Sequence, residues 1–146
     1  MKTGRKVLLA LIILTLLFIW GNSLLNREQS SGESAWVMQL IAPFLELFVG
    51  KGNVTEHLVR KLAHFAEFAL LGLELLFWFK GQPKKLKSAL LLAMAHGLFA
   101  ALTDETLQLF SGRGSQVQDV WLDFAGTAAG AVFALFAASL VEERHQ

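Results

Sequence analysis

The sequence predicts an all-α integral membrane protein, a four-helix bundle with an interfacial or re-entrant segment between spans one and two. Three observations carry this. First, 54% of the 146 residues are hydrophobic and 17% are charged, with a mean hydropathy of +0.49, whereas soluble domains carry about 25% charge. Second, the apolar residues fall in runs near the roughly 20 residues that cross about 30 Å of hydrocarbon, rather than at amphipathic spacing. Third, Trp20, Trp36, Trp78 and Trp121 stand at or near the ends of those runs, where an aromatic belt places them. At this length the chain, 1–146, is one domain. A formal net charge of +1 without a basic stripe excludes a nucleic-acid partner. The absence of cysteine excludes disulfides, thiolate metal sites and thiol nucleophiles.

The first span is predicted at about 7–22, preceded by Lys2, Arg5 and Lys6. A basic start before a short apolar run also describes a secretory signal, but the following GNSLLNREQ has no small-residue cleavage site, which favours an uncleaved anchor. Residues 22–34 are polar and read as an exposed loop. The segment 35–49, AWVMQLIAPFLELFV, is apolar but short and interrupted by Pro43. Proline removes a helical hydrogen bond, so this stretch reads as lying in the interface or re-entering it. The second span covers about 60–79 after Arg60 and Lys61, the third 86–107 after the lysine-rich GQPKKLK, and the fourth 119–141 before the charged EERHQ.

Topology follows from the basic residues. With a cytoplasmic N-terminus, the inside holds Lys2, Arg5, Lys6, Lys80, Lys84, Lys85, Lys87 and Arg144, and the outside holds Arg27, Lys51, Arg60, Lys61 and Arg113. Eight against five is the positive-inside direction, and four spans place both termini in the cytoplasm. The start of span two, the end of span three and the start of span four then meet at the outer leaflet.

Those three ends carry the polar residues. Arg60, His64, Glu67, Leu71 and Glu74 fall on one helical stripe, and Asp119, Asp123, Gly126 and Gly130 recur at i, i+4, i+7 and i+11. Asp104, Glu105 and Gln108 end the third run, and Arg113 sits in the SGRGS turn. Ionisable groups in hydrocarbon cost roughly 2.5–3.5 kcal/mol each on insertion scales, so this convergence is a candidate site. With five acids against three bases, not all the carboxylates stay ionised without relief. A protonated carboxyl, a bound cation or a cationic ligand group supplies it. A divalent cation suits carboxylate oxygens, and an imidazole among them shifts the preference towards transition metals.

His64 and Glu67, at i, i+3, pair either as a general acid–base couple or as a structural ion pair. Arg113 clamps an anion through its planar fork or pairs with Asp104 or Asp119. Glu74, two turns deeper than Glu67, is either uncharged or partnered across the bundle, with His96 as a candidate, although His96 reads first as a hydrogen-bonded packing histidine. The Gly126/Gly130 pair is a small-xxx-small surface that packs within the bundle or forms a dimer seam. No serine triad, zincin or phosphate-loop motif occurs.

The segments RKLAHFAEFALLG (60–72), DETLQLFSGRGSQVQD (104–119) and DFAGTAAG (123–130) resemble the VanZ-like family of small bacterial membrane proteins. They are similar to its R-K-x-x-H-F-x-E-[YF], D-E-x-x-Q-x-F-x-x-x-R with a following D-V, and D-x-x-G patterns, except that two residues rather than three separate Phe110 from Arg113. WGNSLLNREQSSGES (20–34) resembles the serine-rich segment after the family's first span. Phe68 stands where many relatives have tyrosine, which removes a phenolic hydroxyl. The resemblance implies Lys61, His64, Glu67, Asp104, Glu105, Gln108, Arg113, Asp119 and Asp123 as site residues. It also implies a bacterial cytoplasmic-membrane protein that influences teicoplanin or lipoglycopeptide susceptibility.

Three functions remain open at this point. One is a module that binds or modifies an envelope component, with ligand-binding residues Arg60, Lys61, Asp104, Glu105, Gln108, Arg113, Asp119 and Asp123. Its partners would be membrane lipids, an anionic headgroup, a cell-wall precursor or a lipoglycopeptide. Another is a membrane-embedded enzyme on a lipid-linked substrate, with His64 and Glu67 as acid–base pair. The third is a proton-coupled lipid transporter using Glu74. The residues name neither a substrate, a resident cofactor nor an oligomeric state.

Overall fold

A computed structural model describes residues 3–25, 27–83, 85–112 and 114–143, with 27–36, 49 and 141–143 described as backbone alone. The described residues form five helices: α1 (Thr3–Leu24), α2 (Arg27–Val49), α3 (Glu56–Lys80), α4 (Leu86–Phe110) and α5 (Val117–Glu143). Four of them, α1, α3, α4 and α5 through Leu140, are long and apolar enough to cross a membrane. Each extends beyond its predicted span. The third span in particular runs past its predicted end at 107 to Phe110, which takes Gln108 into the same helix as Asp104 and Glu105.

The stretch 22–34, read as an exposed loop, is mostly helix: α1 continues to Leu24 and α2 begins at Arg27. Local capping sets the other ends. Thr55 Oγ1 accepts from the Leu58 N–H at 3.2 Å to start α3. Gly112 and Gly114, at φ +72° and +77°, make the turn from α4 to α5 in a conformation that side chains resist.

Side-chain pairs give the helix directions. Thr15 meets Glu74 and Arg5 lies over Trp78, so α1 and α3 run antiparallel. Trp20 donates to the Ala100 carbonyl and Ser23 to Asp104, so α1 and α4 run parallel. Lys61 with Asp119 and His64 with Asp123 make α3 and α5 parallel. The four spans therefore alternate in direction, with α2 outside the alternation.

The α2 helix is continuous through Pro43 and packs on α3. It leaves from the end where α1 finishes and returns to the end where α3 starts. The six residues 50–55 reach at most about 20 Å, too short to bring the chain back across roughly 30 Å of hydrocarbon. So α2 stays at one end of the bundle, as the interfacial reading expects, with Leu40, Phe44, Leu47 and Phe48 exposed.

The core sets large side chains of α1 and α3, among them Ile19, Phe68 and Leu71, against small residues of α4 and α5. Ala89, Ala93, Gly97, Ala100 and Ala101 form the buried stripe of α4, and α5 presents Gly126, Gly130 and Ala134. A Cβ at Gly126 or Gly130 would overlap the Phe65 or Ala69 carbonyl of α3, and one at Gly72 would overlap the Thr127 backbone. The GTAAG surface is thus spent on α3–α5 contact inside the bundle. Contact this close brings the polar residues of those two helices within reach of one another.

Candidate functional site

The N-terminal halves of α3 and α5 and the C-terminal ends of α1 and α4 share one end of the bundle, and each contributes polar side chains at helical spacing. From α3 come Arg60, Lys61 and His64; from α4, Asp104, Glu105 and Gln108; from α5, Asp119 and Asp123. They surround a cavity of about 210 Å³ whose lining includes His57, Arg60, Lys61, His64, Glu105, Gln108, Gln116, Asp119 and Asp123.

Its floor is dry. Asp104 and Asp123 are 0% exposed, Glu105 4% and Gln108 7%. Burying an ionised group is costly unless it is paired or hydrogen-bonded, and most of the floor meets that requirement. Asp104 accepts from the Ser23 hydroxyl on one oxygen and from Gln108 Nε2, at 2.8 Å, on the other. The same Gln108 amide reaches Glu105 Oε1 at 3.3 Å. Glu105 Oε2 accepts the Gln116 backbone N–H at 3.0 Å, which pins the turn before α5. Ser111 Oγ donates to the Ser23 carbonyl at 2.8 Å and ties the ends of α1 and α4.

Asp123 is the exception. Neither of its carboxylate oxygens has a hydrogen-bond partner among the described residues. Its neighbour Thr127 donates to the Asp123 carbonyl rather than to the carboxylate.

At the mouth, Lys61 Nζ lies 2.9 Å from Asp119 Oδ1, an ion pair that is partly exposed on both sides. Asp119 also stands in the first turn of α5, where the helix dipole favours an anion. Arg60 sits 3.9 Å from Glu56 on its own helix. Between mouth and floor, His64 Nδ1 lies 3.6 Å from Asp104 Oδ2 and 3.7 Å from Asp123 Oδ1.

The structure therefore brings together Lys61, His64, Asp104, Glu105, Gln108, Asp119 and Asp123, with Arg60 on the rim. Arg113 lies outside the described residues. Glu67, one turn beyond His64, is partly buried and is not among the residues lining the cavity. Two further acids, Asp104 of α4 and Asp123 of α5, lie within 4 Å of His64 Nδ1.

Glu74 is partnered across the bundle by Thr15 rather than His96, and His96 is a hydrogen-bonded packing histidine as expected. Thr15 Oγ1 donates to Glu74 at 3.2 Å, and His96 Nδ1 turns to the Leu92 carbonyl at 2.8 Å with its ring 5.0 Å from Phe79. A histidine one turn from a free choice of carbonyls satisfies itself locally at less conformational cost than it would across the bundle.

Sequence reasoning missed Ser23, Gln116 and Thr127. The signal for Ser23 was present: Ile12, Ile19 and Ser23 fall at i, i+7 and i+11, one buried face continuing past the apolar run. Thr127 is fully buried between Gly72 and Gly97, a position that only those two glycines open. Gln116 acts through its backbone, which no residue type announces.

A family model described as VanZ/LLP1 matches residues 7–138. The chain belongs to the VanZ/LLP1 family. No match was found among curated proteins, nor among solved structures. The matched region includes every residue that lines the polar cavity.

Proposed function

We propose that this VanZ/LLP1 protein sits in the bacterial cytoplasmic membrane with both termini inside. Its polar cavity then opens on the extracytoplasmic leaflet and binds a charged headgroup of an envelope lipid or cell-wall precursor. Through that component it influences susceptibility to teicoplanin-type lipoglycopeptides.

The observation that carries this reading is the cavity: a small, polar, one-ended hollow with Arg60 and Lys61 at the mouth and carboxylates beneath. Size decides between ligands. Drug-sized molecules occupy clefts of about 300–1,000 Å³, so a whole glycopeptide does not fit in about 210 Å³, whereas one headgroup does. The rim cations suit a phosphate or carboxylate, with Arg60 able to bind bidentately. The drug effect is then indirect, through the envelope component held or altered here.

The test pairs two readouts. Lys61→Glu should lose the lipid that co-purifies with the wild-type protein, seen by native mass spectrometry, and should abolish any shift in teicoplanin inhibitory concentration. Membrane abundance should stay unchanged. A Lys61→Glu protein that retains both its lipid and its effect on susceptibility rejects the proposal.

A second reading, a membrane-embedded enzyme on a lipid-linked substrate, has one observation in its favour. The His64 ring is held with Nδ1 towards two buried carboxylates, an arrangement that orients an imidazole for proton transfer. With Glu67 as its predicted acid–base partner, His64→Gln and Glu67→Gln should each stop turnover while leaving headgroup binding in place. Loss of binding without any detectable product in the wild type excludes the enzyme.

A further inference from the structure

We infer that His64, Asp104 and Asp123 form a binding site for one divalent transition-metal cation of the zinc type. One donor atom from each of the three residues lies within 4.8 Å of the others. His64 Nδ1 is 3.6 Å from the Asp104 carboxylate and 3.7 Å from the Asp123 carboxylate. Nitrogen and oxygen ligands held about 2.0–2.2 Å from one zinc ion stand roughly 3–3.6 Å apart. The His64 nitrogen thus stands within a few tenths of an ångström of ligand spacing from each carboxylate, and the three donors together lie within 4.8 Å.

The independent observation is Asp123. It is wholly buried, and both carboxylate oxygens lack a hydrogen-bond partner. The donors around it are committed elsewhere: Lys61 to Asp119, Gln108 to Asp104 and Glu105, Thr127 to a backbone carbonyl. A buried carboxylate left so among well-satisfied neighbours is what a missing cation explains. Asp104, by contrast, is held by Ser23 and Gln108, the outer hydrogen bonds that orient a metal-ligating carboxylate.

The donor set selects the ion. Calcium takes six to eight oxygens and magnesium a near-octahedral oxygen shell, and imidazole favours neither. One imidazole with two carboxylates suits zinc and its neighbours, and three protein ligands leave a coordination position open. His64 and Asp123 both line the cavity, so that position faces it. The inference does not depend on which headgroup the cavity takes.

The test uses the full chain, purified in detergent, freed of any affinity tag and stripped with chelator. Titrated with Zn²⁺, it should take up one ion per chain by elemental analysis and melt at a higher temperature, with no comparable rise from Ca²⁺ or Mg²⁺. Asp123→Asn and His64→Gln should each weaken Zn²⁺ uptake at least tenfold while keeping the helical spectrum and elution volume of the wild type. Should either variant fail to fold, the wild-type Co²⁺ complex decides: visible absorption bands of a four- or five-coordinate nitrogen–oxygen site support the assignment. Substoichiometric Zn²⁺ uptake, uptake unaffected in both folded variants, or a hexaaqua-like Co²⁺ spectrum overturns it.

Discussion

Removing the Ser23 hydroxyl takes away one of the two donors that hold the buried Asp104 carboxylate. A hydrogen bond to a charged group is worth about 1.5–3 kcal/mol, and the orphaned acceptor keeps its desolvation penalty. Ser23→Ala should therefore destabilise by about 2 kcal/mol in a reversible unfolding titration in detergent, although it deletes a single atom far from the cavity mouth. Gly130→Ala should do more harm. The added methyl would overlap the Ala69 carbonyl, which is backbone and cannot rotate away. Overpacking of this kind costs about 1–3 kcal/mol or more, so the variant should melt well below the wild type or fail to accumulate.

At this scale the sequence was readable wherever a polar residue interrupted an apolar run. Asp104, Gln108, Asp119 and Asp123 stood out because nothing else in hydrocarbon explains them. Ser23 did not, because a serine after an apolar run also looks like the first residue of a loop. The nearness of Asp104 and Asp123 to His64 was hidden for a different reason. Spacing along one helix could offer only Glu67, while these two acids arrive from α4 and α5.

Among the elements, α2 departs furthest from expectation. Pro43 was read as a break, and the helix passes through it. Proline leaves the carbonyl four residues earlier, that of Gln39, without its helical donor. Both Gln39 and Pro43 are exposed, where water or a headgroup can bond that carbonyl. The same substitution pattern inside the bundle would not be so readily satisfied.

Because the chain has no cysteine, single cysteines report sidedness without background. Lys51→Cys, between α2 and α3, and Gln118→Cys, at the start of α5, should react with an impermeant maleimide from the same face of the membrane. Lys85→Cys, before α4, should react from the other. Opposite faces for Lys51 and Gln118 would mean that α2 crosses the membrane. The four spans themselves were legible from composition, since their apolar runs exceed what a soluble helix needs. Their ends were not, since polar residues belonging to the site look like helix termini.

For the molecule as a whole, orientation rests on the basic residues between α3 and α4. Changing Lys84, Lys85 and Lys87 to Gln would leave five basic residues on each side. Loop lysine bias sets orientation, so this triple variant should insert in mixed directions, seen as reporter activity on both faces for a C-terminal fusion. The wild type should show one face. Under the proposed orientation the same inversion would carry the polar cavity to the cytoplasmic leaflet, and the proposed effect on susceptibility should fall with the inverted fraction.

The parallel pairing of α1 with α4, and of α3 with α5, also orders events during synthesis. When α4 leaves the ribosome, α1 is already in the bilayer and Ser23 is waiting for Asp104. No such host is complete for Asp123 until its own helix, the last of the five described, slides its glycines along α3. A ribosome stalled before α5 therefore leaves a half-roofed acidic pit facing lipid, and quality-control proteases of the membrane should clear that fragment far faster than the finished chain.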